Sequence, residues 1–156
     1  MKKLLFLFVC AFVALSATAQ NPIKNGDFES GNFNGWYNYK KMKGITVVAE
    51  KPHSGKYAAK VLGGGSVSFE LEKGKYILKA YVLVQRGVAD INLSQAPDMK
   101  SYKYDSVAKV ECAVNSKYQE VSFPIKVKEL TKFKLSISAK NNNGQFYIDD
   151  VAVTKK

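Results

Sequence analysis

The sequence predicts an all-β protein, an antiparallel β-sandwich of about nine short strands. Three observations carry this. Apolar and polar residues alternate with a period of two in run after run, no apolar period of 3.6 lasts three turns, and Gly-, Pro- and Asn-containing turn signals separate the runs. The chain has 156 residues, of which 46% are apolar, enough to pack one domain. With 12% aromatic residues and 24% charged ones, wholesale disorder is excluded.

The elements follow in order. Strands are expected at 45–49, 58–62, 66–71, 76–85, 89–93, 107–114, 119–125, 132–139 and 146–153. The run from Tyr76 to Gln85 places Leu78, Ala80, Val82 and Val84 on one face and Lys79, Tyr81 and Gln85 on the other. The run from Lys132 alternates more cleanly, burying Phe133, Leu135, Ile137 and Ala139. Pro52-His53-Ser54-Gly55, Gly63-Gly64-Gly65, Gln95-Ala96-Pro97-Asp98, Asn115-Ser116-Lys117 and Asn141-Asn142-Asn143-Gly144 read as turns. Sheets with one face buried and one solvated are antiparallel. No internal repeat, linker or low-complexity tract divides the chain.

Residues 1–19 read as an export signal. Lys2 and Lys3 give a positive start, the apolar run from Leu4 to Leu15 is too short to span a bilayer, and Ala17-Thr18-Ala19 offers a small-x-small cleavage site. One domain is then expected over 20–156, exported to the periplasm, the cell surface or the medium, with no membrane insertion once the signal is gone. The net charge of +11 becomes +9 without Lys2 and Lys3. Cys10 departs with the signal, so Cys112 is left without a partner and no internal disulfide is expected. On its alternating run Cys112 reads as a small buried hydrophobe rather than a nucleophile.

Little in the chain suggests bond-making chemistry. His53 is the single histidine, which excludes a multi-histidine metal site, and it sits in a turn. No P-loop, GxGxxG, GxSxG or HExxH pattern occurs. The one adjacent acid pair, Asp149-Asp150, lies on an expected strand, where neighbours point to opposite faces. A non-enzyme is therefore expected. Of the 24 cations 23 are lysines and only Arg86 is an arginine, a poor endowment for reading bases or gripping phosphates, so nucleic acid is not an expected partner. Nine tyrosines remain, several in polar surroundings such as Trp36-Tyr37-Asn38-Tyr39 and Tyr102-Lys103-Tyr104. Flat rings beside amides and hydroxyls suit sugars, whose apolar C–H faces are edged by hydroxyl groups. Trp36, after Gly35 in a turn-like run, reads as a plug in the core.

Several separated pieces carry a family resemblance: Asn25-Gly26-Asp27-Phe28-Glu29-Ser30-Gly31 followed by Gly35-Trp36, then Pro52-His53-Ser54-Gly55-Lys56-Tyr57-Ala58, Gly74-Lys75-Tyr76, Lys117-Tyr118-Gln119, and Phe146-Tyr147-Ile148-Asp149-Asp150-Val151. In this order, over Asn21 to Thr154, the chain resembles carbohydrate-binding modules of the family 4/9 type. The resemblance implies a galactose-binding-like jelly roll with a structural calcium. Glu29 and Asp149 or Asp150 would ligate the ion, helped by carbonyls near Ser54, and a hard cation held by oxygens from both chain ends would tie them together. It also implies a groove on a concave sheet, with Tyr39 stacking on a sugar, Tyr102 or Tyr104 as a second aromatic, and Tyr81, Gln85, Asn92 and Ser136 lining the floor.

The expectation is thus a secreted, monomeric, non-catalytic module for a poly- or oligosaccharide. The alternative is an extracellular structural or adhesion protein using the same fold for protein contacts. A third reading is a polyanion binder using Lys79, Lys132 and Lys134.

Overall fold

The computed structural model describes residues 20–39, 44–140 and 143–156. The expected export signal lies outside them, as do Asn141 and Asn142 of the turn expected before the last strand. Among the described residues ten strands form: β1 (Tyr37–Asn38), β2 (Ile45–Val48), β3 (Ala58–Val61), β4 (Gly64–Leu71), β5 (Gly74–Arg86), β6 (Val88–Gln95), β7 (Asp105–Ala113), β8 (Gln119–Val127), β9 (Thr131–Ala139) and β10 (Gln145–Lys155). They make two five-stranded sheets, ordered β1-β4-β9-β6-β7 and β2-β3-β10-β5-β8. Every pairing is antiparallel. The sandwich expected from the alternation is therefore present. The strand added to the expected nine is β1, whose two residues are too few for a period of two to show.

Alternation decides what each strand buries. On β9 every second residue from Phe133 to Ala139 faces the core, while Lys132, Lys134, Ser136 and Ser138 face out. On β5, Leu78, Ala80, Val82 and Val84 meet them from the other sheet and are fully buried. One continuous apolar core fills the space between the layers. Cys112 joins it at 1% exposure, and burial pushes its thiol up, so it behaves as the small hydrophobe that the alternation predicts.

The segment ahead of β1 closes one end of the sandwich. Phe28, Phe33 and Trp36 pack ring on ring with centroids 5.5–6.2 Å apart, and the Trp36 indole N–H donates to the Lys24 carbonyl at 3.2 Å. Trp36 is thus the expected core plug. The same segment is bonded to β10: the Asn21 side chain donates to the Val151 carbonyl and accepts from the Val153 N–H, both at 3.0 Å. The Val151 N–H donates to the Gly26 carbonyl at 2.8 Å. A Cβ at Gly26 would overlap the Val151 carbonyl oxygen, so only glycine permits this approach.

Central strand β9 places four residues, Phe133, Leu135, Ile137 and Ala139, in the core, with Leu135 fully buried. Leu135→Ala should cost about 2–5 kcal/mol of folding stability, seen as a lower denaturant midpoint at unchanged slope.

Candidate functional site

The two sheets present two outer faces, and they differ. The outer face of the second sheet is roofed by the connection between β2 and β3. The His53 ring stacks on Tyr81 with centroids 3.8 Å apart and 11° between planes, and meets Tyr118 edge-on at 5.1 Å. The Tyr118 hydroxyl donates to the Lys51 carbonyl at 2.6 Å, and the Lys51 ammonium to the Gln85 side-chain carbonyl at 2.9 Å. Burial pushes the Tyr118 phenol well above the usual range. Tyr147, itself buried, donates to Glu50 from beneath the same connection. The Tyr81 hydroxyl donates to Glu120, whose charge pushes that phenol up, and Glu120 also holds Lys79 at 2.9 Å.

The outer face of the first sheet lies open and is built of cross-strand rows. One row runs Tyr37, Ser66, Ser136, Asn92, Lys109 across β1, β4, β9, β6 and β7. The next runs Ser68, Lys134, Ser94, Ser106 from β4 to β7. Directly opposed residues share a face, so short hydroxyl and amide side chains pave the floor. Asn92 is held in place: its amide N–H donates to the Ser94 hydroxyl at 3.3 Å and its carbonyl accepts from Ser106 at 2.6 Å.

Tyrosines stand at both rims. Tyr39 follows β1, its N–H bonded to the Gly64 carbonyl, and its hydroxyl reaches Ser136 at 3.3 Å. Its ring lies against Gly64, where a Cβ would stand 3.0 Å from the ring edge. Tyr37, 60% exposed, tilts against Tyr39 with centroids 5.8 Å apart. At the other rim the Lys134 ammonium sits 4.2 Å over the Tyr104 ring. From Ser138 to Lys134, along β9, the floor spans roughly 13 Å. One end is charge-neutralised, since Lys109 bridges Asp90 and Glu111 and Lys140 binds Glu111, which holds the Glu111 carboxyl below its usual range.

The expected groove residues do not all converge. Tyr39, Asn92 and Tyr104, with Ser136, border the open face. Tyr81 and Gln85 do not: strand order puts β5 in the other sheet, so they lie on the opposite side, one ring covered by His53 and the other side chain engaged by Lys51. Tyr102 stands 96% exposed in the loop before β7, away from any packed surface. Tyr37, Ser66, Ser68, Ser94, Ser106 and Ser138 were not singled out from the sequence. The signal for three of them was visible in Ser66-x-Ser68 and Ser136-x-Ser138, small polar residues at a period of two.

The expected calcium ligands meet at one turn. Glu29 accepts the N–H groups of Lys56 and Tyr57 at 2.8 and 2.9 Å, against Gly55, whose φ of +59° and missing side chain make the cradle. Asp149, wholly buried, accepts from the N–H groups of His53 at 2.8 Å and Ser54 at 3.2 Å. Burial, with the charge of Asp150, pushes Asp149 up to about 6 against the pull of these backbone donors. Asp150 reaches the same turn, receiving the Ser54 hydroxyl at 2.8 Å and lying 2.6 Å from His53 Nδ1. Adjacent strand residues were expected to diverge. A β-bulge between Asp149 and Ala152, with Asp150 at φ +48°, turns both carboxylates the same way. The donor set fits a hard cation in part: carboxylates gather without a lysine or arginine partner, and the buried Asp149 is held by backbone N–H groups but by no cation. Among the described residues no three acidic, histidine or cysteine side chains share one centre, so carbonyls of the turn would complete any shell.

Comparison with known proteins agrees with this architecture. The chain matches a family described as a carbohydrate binding domain, CBM_4_9, over residues 20–148. Among solved structures it is similar to TmCBM61 in complex with beta-1,4-galactotriose, at 25% identity and TM-score 0.63, covering 88% of this chain and all of that one. It is also similar to the CBM22-1 xylan-binding domain of Paenibacillus barcinonensis Xyn10C, at 18% identity and TM-score 0.65, covering 83% and 91%. A family 16 carbohydrate binding module matches at 21% identity and TM-score 0.58, covering 86% and 100%. No curated protein matches. With the match running from the first described residue into β10, and with those three modules sharing the sandwich, the chain belongs to the CBM_4_9 family of carbohydrate-binding domains.

Proposed function

We propose that this module is exported and non-catalytic, and that it holds a poly- or oligosaccharide along β9 on the open face of the first sheet. One observation carries the reading: tyrosines stand at two rims of a floor paved with serines and an amide, on the outer face that no loop covers among the described residues. Short floor residues leave depth, the rings offer apolar faces to C–H surfaces, and Ser136 and Asn92, both part-exposed, offer hydrogen bonds to hydroxyls. The Asn92 amide is already fixed by Ser94 and Ser106, so a ligand meets it without ordering it first. Export is supported by the charged start, apolar run and small-residue site of residues 1–19.

A calcium ion at the Glu29–Asp149 clasp belongs to the same proposal. Glu29 and Asp149 would hold it, with Asp150 adjacent and carbonyls of the turn completing the shell. Bound there, it would neutralise a buried carboxylate and fasten the turn to both the leading segment and β10.

Tyr39→Ala should weaken retention on a cognate glycan by about 5–10-fold, as expected for losing one stacked ring worth roughly 1 kcal/mol. Affinity electrophoresis through galactan and xylan gels reads this, with circular dichroism as the check on folding. Tyr81→Ala, on the roofed face, should leave retention unchanged; equal losses for both variants would remove the open face as the site. Separately, millimolar calcium should raise the thermal midpoint over that in chelator, and Glu29→Gln should abolish the difference. A midpoint indifferent to calcium leaves the clasp to its hydrogen bonds alone.

A further inference from the structure

Lys134 differs from the other charges of the open face. It points outward from the central strand of the first sheet, flanked in its row by Ser68 and Ser94, with its ammonium over the Tyr104 ring. No carboxylate lies within ion-pair distance of it, and all Asp and Glu residues of the chain are among the described ones. Its neighbours are committed elsewhere. Lys109 and Lys140 are neutralised by Asp90 and Glu111, Lys132 donates to the Met99 carbonyl at 2.9 Å, and Lys79 is bound to Glu120 on the opposite sheet. Among the described lysines of the floor, the half-buried Lys134 is thus the one whose ammonium has neither a carboxylate nor a carbonyl partner. The tyrosine face attracts the ammonium but does not neutralise it, so the charge remains available to an anion.

Position says where on a ligand the opposite charge would sit. Lys134 is two residues from Ser136 along β9, a step of roughly 7 Å, and Ser136 is the residue touched by the Tyr39 hydroxyl. A chain lying along β9 with one ring against Tyr39 brings the next ring over Lys134 and beside Tyr104. A net charge of +9 without Lys2 and Lys3 also speeds the approach of a polyanion, though it cannot choose one.

We propose that the glycan is acidic, and that a uronic acid carboxylate on the ring next to the one at Tyr39 pairs with the Lys134 ammonium. This rests on the groove assigned above. It differs from a polyanion surface spread over Lys79, Lys132 and Lys134, because Lys79 is paired with Glu120 on the opposite sheet and Lys132 is held by the Met99 carbonyl, while the Lys134 ammonium has no hydrogen-bonded partner.

The test uses matched ligands that differ in charge alone. Polygalacturonate and glucuronoxylan are each compared with their carboxyl-reduced, neutral counterparts, with the full chain in isothermal titration and affinity electrophoresis. The acidic form should bind at least 10-fold tighter in low salt, and the gap should narrow as salt rises. Lys134→Gln should remove the gap between the acidic form and the neutral one, and with it the salt dependence of that gap. Lys117→Gln, an exposed lysine of the β7–β8 turn, should change neither. Equal binding of both forms overturns the acidic assignment while leaving the groove intact. A loss for Lys117→Gln as large as for Lys134→Gln overturns it too, since net charge would then be the cause. Binding of neither form overturns the groove and the acidic assignment together.

Discussion

Seating β9 between β4 and β6 is the constraint on which the rest depends. One strand supplies Phe133, Leu135, Ile137 and Ala139 to the core and Lys134, Ser136 and Ser138 to the opposite surface. Because the side-chain period is two, a slip of one residue would exchange these sets, burying a lysine and two hydroxyls and exposing four apolar groups. Core packing therefore fixes the register, and the register fixes the floor. The order of hydroxyls and charge along the groove follows from the same free energy that holds the sandwich together.

The two outer faces of the molecule show how a shared architecture can be spent differently. Over β5 and β10 the β2–β3 connection lays His53 on Tyr81 and links Lys51 to Tyr118 and Gln85, so aromatic area there serves packing. Over β9 and β6 no described loop crosses the middle of the floor, and the rings of Tyr39 and Tyr104 border it instead. Tyrosine content alone could not separate these cases. Both faces carry rings near polar groups, and only the path of the intervening chain distinguishes a covered ring from an available one.

Much of the fold was legible in the residues because its determinants are local. Period-two alternation marked nine strands, and Trp36 and Cys112 were placed in the core by their neighbours in sequence. What stayed hidden depends on long-range pairing. Tyr81 and Asn92 sit on strands adjacent in sequence order, β5 and β6, yet these strands belong to different sheets, so alternation within each could not say whether their outward residues share a surface. The divergence expected of Asp149 and Asp150 failed for a different reason: one extra residue in β10 breaks the period locally, and nothing in Ile148-Asp149-Asp150-Val151 announces a bulge. The family resemblance supplied the convergence of those acids on the Pro52–Tyr57 turn, which the residues alone had argued against.

Gly64 links these levels in a single position. It begins β4, pairs with Ser138, and lets the Tyr39 ring settle against the sheet. A methyl group there would press on the Ile137 carbonyl oxygen at 2.9 Å, the Tyr39 ring at 3.0 Å and the Ser138 Cβ at 3.1 Å, and of the three the aromatic ring is the part free to lift. Trough depth beside that wall is consequently governed by one hydrogen atom standing where every other residue carries carbon.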